Sequence, residues 1–313
     1  MLVIIRKLIQ SIPSSTLAYI SLVLALLCWT GNILLARGMV GEIPPVALSF
    51  WRWLLAFCIL FVFNAKAVFT YRHGIIKHWG KISLLAFFSI VAYNAIFYIA
   101  AQTTTAANIT LMGASAPIVS GLMAHWILEE KIAKSRILGI FISLIGVIVI
   151  IAKGNLNNLI GLQFNSGDLL MLLAVLSWAI YAIYLRKWNI HLPPIVLLTI
   201  LTFLGSIGLF PLYYWESAHH FVYVFEYKHL YVFLYLAIFP SIIAYLLWMY
   251  TIKHLKQTVV AQFAYLQIIF TSTLAYVFLD EHMSLFHVTG GVLIVAGLYF
   301  SHQTATNALN HSS

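Results

Sequence analysis

Trp29 and Asn32 stand three residues apart in an otherwise apolar stretch, and Trp178 and Tyr181 repeat that spacing 149 positions later. Residues three apart share one face of a helix, so each pair sets an aromatic plate beside a second polar or aromatic group. Tyr93, Asn94 and Tyr98 extend the set in another stretch, Tyr245 and Trp248 in a fourth, and Asn108, Gln262 and Tyr265 complete it. In lipid these side chains have no water to turn to, and they face either a partner helix or a wet cavity. Single residues of these types also serve as interfacial anchors or as hydrogen-bonding glue between helices. Anchors cluster at the ends of spans, whereas Trp29 and Tyr93 fall in the middle of theirs. The chemistry implied is recognition of an amphipathic small molecule by ring faces and amides, and these twelve residues are the candidate substrate-binding set.

Groups that could move charge are scarce. All eight carboxylates (Glu42, Glu129, Glu130, Asp168, Glu216, Glu226, Asp280 and Glu281) fall at the ends of apolar stretches or between them. That argues against a carboxylate proton relay. Arg52 and His125 are the candidate charge-bearing groups at any depth. Arg52 lies about two turns into its span, shallow enough to snorkel to the headgroups, with capture of a substrate carboxylate as the alternative. His125 stands one turn before Glu129, as a partnered interfacial histidine or a proton-coupling group. Glu130 and Glu281 are expected to stitch helix ends together. Pro117, mid-span, removes a backbone donor and is the candidate gating kink; its counterpart in the second copy is Ile268.

These residues sit in a chain of 313 residues that is 63% hydrophobic and 8% charged, with a mean hydropathy of +0.98. That is the composition of an all-α integral membrane protein, not of a soluble globule. The net charge of +9 comes from Lys and Arg scattered through short connections, so nucleic acid is excluded as a partner. The expected partners are the lipid bilayer and a small-molecule substrate. Cys28 and Cys58 have no metal-ligand spacing, and no metal site or cofactor is expected.

Spans of about 17 to 25 residues place ten transmembrane helices near 17–36, 46–64, 82–101, 106–128, 135–152, 168–186, 195–215, 229–252, 258–280 and 286–302. Residues 1–16 form an N-terminal interfacial segment, since Ile5, Leu8, Ile9 and Ile12 share a face opposite Arg6, Lys7 and Gln10. Residues 304–313 form a flexible tail. Basic residues concentrate in alternate connections, which puts both termini in the cytoplasm. Helices 5 and 10 are aliphatic with glycines seven apart, Gly139 and Gly146 in one and Gly290 and Gly297 in the other. A small stripe of that kind suits close packing or a homodimer through these two helices.

The chain is also written twice. Leu128-Glu129-Glu130 returns as Leu279-Asp280-Glu281, and Gly139 and Gly146 return as Gly290 and Gly297, each 151 positions on. Ser89-Ile90-Val91-Ala92-Tyr93 returns as Ser241-Ile242-Ile243-Ala244-Tyr245, and Pro44-Pro45 as Pro193-Pro194. Two units, 17–153 and 168–303, each of five helices, must enter the membrane in opposite senses because five is odd. With Thr104-Thr105-Ala106-Ala107-Asn108 and Pro117, this doubled order resembles the EamA-type repeat of the drug/metabolite transporter superfamily. The resemblance implies ten helices in two inverted repeats, a cavity lined from helices 1, 3, 4, 6, 8 and 9, and alternating access. It also implies movement of small organic metabolites, often amino acids and often outward across the bacterial inner membrane. The family usually has Pro where Tyr265-Leu266-Gln267-Ile268 stands, which sets the second kink apart from the first. An intramembrane enzyme is the main rival. It lacks paired mid-span carboxylates and a paired-His helix with Glu. A non-transporting membrane scaffold is the other, and it would not explain an inverted repeat.

Overall fold

The computed structural model describes residues 13–104, 109, 112–155, 157–160, 165–219, 223, 226–278 and 285–310, and every regular element among them is helical. In order these are α1 (Ser14–Gly38), α2 (Pro45–Thr70), the short α3 (Arg72–Lys77), α4 (Trp79–Thr103), α5 (Ala116–Leu128) and α6 (Lys134–Ile151). Apart from a single helical turn at Asn157–Ile160, the remainder are α7 (Ser166–Trp188), α8 (Pro194–His219), α9 (Tyr227–His254), α10 (Gln257–Phe263), α11 (Leu266–Phe278) and α12 (Leu285–Asn310). Among the described residues seven helices are long and apolar enough to cross a membrane, and α5 and the Leu285–Phe300 part of α12 are shorter apolar helices. Most of the interfacial segment expected at 1–16 lies outside the described residues; α1 already begins at Ser14. At the other end α12 runs on to Asn310 through residues expected to form a tail.

Polar groups at the helix ends hold the bundle in register. Pro45 opens α2 without an N–H of its own, and the next two donors, Val46 N and Ala47 N, bond the Glu216 carboxylate at 3.0 and 2.8 Å. A carboxylate there satisfies orphan donors and meets the positive end of the helix dipole. Asn165 and Asp168 form a capping box on α7, and Thr104 donates to Asp168, tying α7 to the end of α4. Glu129 takes a left-handed conformation that ends α5. Glu130 is thereby carried across to α10, where it accepts from Gln257 N, Thr258 N and the Thr258 hydroxyl at 3.0–3.2 Å. Arg186 lies 3.5 Å from the same carboxylate and donates to Ile252 O and Leu255 O at the end of α9. Glu130 thus stitches helix ends as expected; Glu281 lies outside the described residues.

The glycines of α6 and α12 pack against each other within one chain. A Cβ on Gly146 would stand 2.5 Å from Gly290 O, and one on Gly297 would stand 2.5 Å from Gly139 O. Between these contacts Ser143 donates to Ile294 O at 3.3 Å. Residue numbers rise along one helix as they fall along the other, so the two are antiparallel. The outward faces, with Phe141, Ile145, Val292 and Val295, remain exposed.

Two departures from regular helix position the site. Phe87–Ala92 in α4 and Ala237–Ile243 in α9 are π-helical, and they coincide with the duplicated Ser-Ile-(Val/Ile)-Ala-Tyr text. In α9 the cause is legible: Pro240 cannot donate to Leu236 O, and the Ser241 hydroxyl bonds that carbonyl instead at 2.7 Å. Each π-turn offers a carbonyl to the neighbouring helix. Pro240 O accepts from Trp29 Nε1 of α1 at 3.0 Å. Phe88 O, 152 positions earlier, accepts from the Ser177 hydroxyl of α7 at 2.7 Å.

The two stretches expected as single helices at 106–128 and 258–280 are both interrupted. Pro117 sits in the first turn of α5, after a break at Ala114 and Ser115. In the second copy a break at Ala264 and Tyr265 separates α10 from α11 without any proline, through three-residue turn bonds such as Tyr265 N to Gln262 O. The expected difference between the two copies therefore disappears at the level of the backbone.

Candidate functional site

A cavity of about 140 Å³, room for a group the size of a benzene ring, opens between α1, α2, α4, α5, α7, α9 and α11. Trp29, Asn32, Tyr93, Asn94, Trp178, Tyr245, Trp248 and Tyr265 of the candidate substrate-binding set line it, together with Arg52. Trp29 meets Trp178 edge to face at 5.1 Å and Trp248 at 5.3 Å, while Trp178 lies 5.7 Å from Tyr245 and 5.1 Å from Tyr93. These are the offset geometries that aromatic quadrupoles favour. The equivalent pairs Trp29 and Trp178, and Tyr93 and Tyr245, thus form one cluster across the two copies.

Among the described residues, Arg52 is the one charged group lining the cavity. The snorkelling expectation fails: Arg52 is 2% exposed and turns into the bundle. Its Nη1 donates to Asn32 Oδ1 at 2.5 Å and to the Tyr98 hydroxyl at 2.7 Å, and Nη2 donates to Asn94 Oδ1 at 3.1 Å. The Tyr98 hydroxyl donates in turn to Asn32 Oδ1 at 2.6 Å. Asn94 Nδ2 reaches Ser89 O at 2.8 Å, the same π-turn carbonyl that accepts from the Tyr245 hydroxyl at 2.9 Å. The guanidinium also stacks 4.8 Å from the Trp53 ring. Depth along a helix, which the sequence gives, says nothing about the direction in which a side chain points around it.

The other candidates lie apart from the cavity wall. Tyr98 stands behind Arg52 as its hydrogen-bond partner, and Tyr181 is buried against Trp178 and Tyr245. Gln262 reaches Gly297 O of α12 at 3.3 Å. His125 is exposed near the end of α5, its Nδ1 3.1 Å from Glu130 O. Pro117 marks the start of α5, and Asn108 lies outside the described residues. Sequence reasoning missed Leu26, Ile33, Val175 and Thr271 in the lining, because apolar residues facing a cavity read like those facing lipid. It also missed Pro240, which its mid-span position could have flagged.

Between α1 and α2, Glu42 pairs with two residues of the first turn of α9, His229 Nε2 at 3.0 Å and Lys228 Nζ at 3.3 Å. The hydrogen bond from His229, then that from Lys228, holds its carboxyl below the usual carboxylate range.

Long apolar helices around an aromatic-lined internal cavity define a multi-pass membrane protein. Residues 16–152 and 165–302 each match the model of the EamA-like transporter family. The chain belongs to that family. It is 29% identical over 292 residues to an "Uncharacterized transporter" of Archaeoglobus fulgidus, covering 90% of this chain and 96% of that one. It is also 25% identical over 289 residues to the "Probable amino-acid metabolite efflux pump" of Salmonella typhimurium, covering 89% and 92%. A protein of known crystal structure superposes with a TM-score of 0.72 at 15% identity, over 94% of this chain and 98% of that one; the likeness is one of fold.

Proposed function

We propose that the protein moves small organic metabolites, amino acids or related amphipathic compounds, across the bacterial inner membrane, in the direction of export, by alternating access. The observation that carries this reading is the cavity itself, walled by equivalent aromatic residues of both copies, Trp29 with Trp178 and Tyr93 with Tyr245. A site shared between two like halves can be exposed to either side by rocking one half against the other. The name of the Salmonella relative supports the substrate class and the direction.

The reading includes ten spans in two inverted units of five, α10 and α11 counting as one. Its support is the antiparallel packing of α6 on α12, whose contacts between Gly146 and Gly290 and between Gly139 and Gly297 exchange into each other under the repeat. Equivalent helices that run antiparallel are related by a two-fold axis lying across them, which is the symmetry of an inverted repeat. Both termini face the cytoplasm in this arrangement, as the Lys and Arg distribution favours. The exposed outer faces of α6 and α12 are where a second copy would dock.

Purified protein in proteoliposomes loaded with a metabolite extract tests transport: labelled amino acids outside should exchange inward, and protein-free vesicles should stay inert. If folded protein exchanges no solute of the extract, the reading fails. Cysteines placed at His73 and Ala218 test the topology, and labelling of both from one side contradicts it.

A further inference from the structure

We infer that Arg52 is the anchor for the carboxylate of the substrate, and that this carboxylate, not an ammonium group, is what the cavity recognises. The inference rests on the reading of the cavity as a substrate site and narrows it to a chemical class. Burying a cation is costly unless it is paired. Every hydrogen-bond acceptor of Arg52 named above is a neutral amide or phenol oxygen. No salt bridge to it exists among the described residues.

A guanidinium has five N–H donors, and three are taken by Asn32, Tyr98 and Asn94. Nε–H has no partner, and one hydrogen of Nη2 remains. Those two nitrogens form one edge of the fork, the edge that a carboxylate grips with both oxygens. The other unmet groups of the lining are of the same kind: Trp248 Nε1 and the Tyr265 hydroxyl are buried without a hydrogen-bond partner. The lining therefore carries one positive charge without a counter-ion, which an anion would supply; Arg52 Nε, Trp248 Nε1 and the Tyr265 hydroxyl are closed off in this conformation, so an anion reaches them only with a local shift of the lining. The same lining includes the rings of Trp29, Trp178 and Tyr245, which suit an apolar side chain.

The duplication separates this role from a structural one. In the second copy, 149 positions on, the residues equivalent to Arg52 and Asn32 are Leu201 and Tyr181, and that equivalent to Asn94, 152 positions on, is Leu246. Leu201 is fully buried in the apolar core, so this helix position packs without a cation. The charged constellation is an addition to one half.

The test compares binding to the protein in lipid nanodiscs, read by tryptophan fluorescence. The probes are phenylalanine and leucine, the acids without the amine (hydrocinnamate and isocaproate), and the amines without the acid (phenethylamine and isopentylamine). The acids should bind as the amino acids do, and the amines at least about 10-fold more weakly. Arg52→Gln should weaken the acids about 10- to 100-fold, with Arg52→Lys between it and the native protein. Amines binding as well as acids, no acid binding at all, or acid affinity unchanged in a folded Arg52→Gln would overturn the inference. If Arg52→Gln does not fold, the comparison of acids with amines on the native protein still decides. Exchange of amines with refusal of acids in proteoliposomes would leave the transport reading standing and remove this one. Acid binding that depends on Arg52, with no exchange of any solute, would do the reverse.

Discussion

Substituting Gly146 and Gly121 by alanine should move stability in opposite directions. At Gly146 the added carbon would lie 2.5 Å from Gly290 O and 3.0 Å from Ile294 N. A carbon rests against a carbonyl oxygen at about 3.3 Å, so α6 and α12 must separate locally by about 0.8 Å, the difference of the two. Both groups in the way are backbone, which cannot rotate aside. Overpacking of this kind costs about 1–3 kcal/mol, and alanine returns about 1 kcal/mol in helix propensity, leaving a net loss of up to about 2 kcal/mol. At Gly121, in α5, no heavy atom lies within 4 Å of the added carbon. Only the propensity gain of about 0.5–1 kcal/mol remains there. Gly290→Ala strains the same seam from the other side, 2.6 Å from Gly146 O, so the double substitution should cost less than the sum of the singles. Thermal melting in nanodiscs, followed by loss of monodisperse protein, reads all four variants. Equal shifts for Gly146→Ala and Gly121→Ala, or strict additivity across the seam, would refute the packing argument.

Glu130→Ala removes the acceptor for three α10 donors and the partner of Arg186. It should lower stability by about 0.5–2 kcal/mol, and Glu130→Gln, which keeps one oxygen acceptor, by less in the same melting assay. Because hydrogen bonds from His229 and Lys228 lower the Glu42 carboxyl, their stabilising contribution is complete above the ordinary carboxylate range. It is lost as pH falls through the lowered value. Melting of the native protein from pH 7 to 3 should therefore decline more steeply than that of Glu42→Gln, and parallel curves would contradict it. A carrier whose empty form holds the Arg52 charge uncompensated should reorient more readily when a carboxylate neutralises it. Counterflow of a monocarboxylate should then exceed net efflux, and membrane voltage should act on net efflux more than on exchange; equal fluxes would contradict this.

Much of this arrangement is legible in the sequence because lipid leaves polar side chains so few options. The mid-span Trp29, Tyr93, Trp178 and Tyr245 could be grouped from type, spacing and duplication alone, and all four line one cavity. What escaped was azimuth and backbone. Arg52 read as shallow, yet rotation about the axis of α2 turns it inward to Asn32, Asn94 and Tyr98. The break at Ala264 and Tyr265 has no proline to announce it. Proline is neither required to interrupt a helix, where packing and turn bonds do the same, nor sufficient, since α8 runs on through Pro211. Glu130 and Glu216 were placed at span ends, but the helices they cap, α10 and α2, are distant in sequence, and only the fold brings them together.

The central claim, that one cavity serves both sides of the membrane in turn, is tested most directly by a single cysteine at Val175 in the lining, with Cys28 and Cys58 replaced by serine. Membrane-impermeant thiol reagents added to either face of proteoliposomes should each modify it, and a transported amino acid should slow both reactions. Modification from only one face, unchanged by any transported solute, would contradict alternating access.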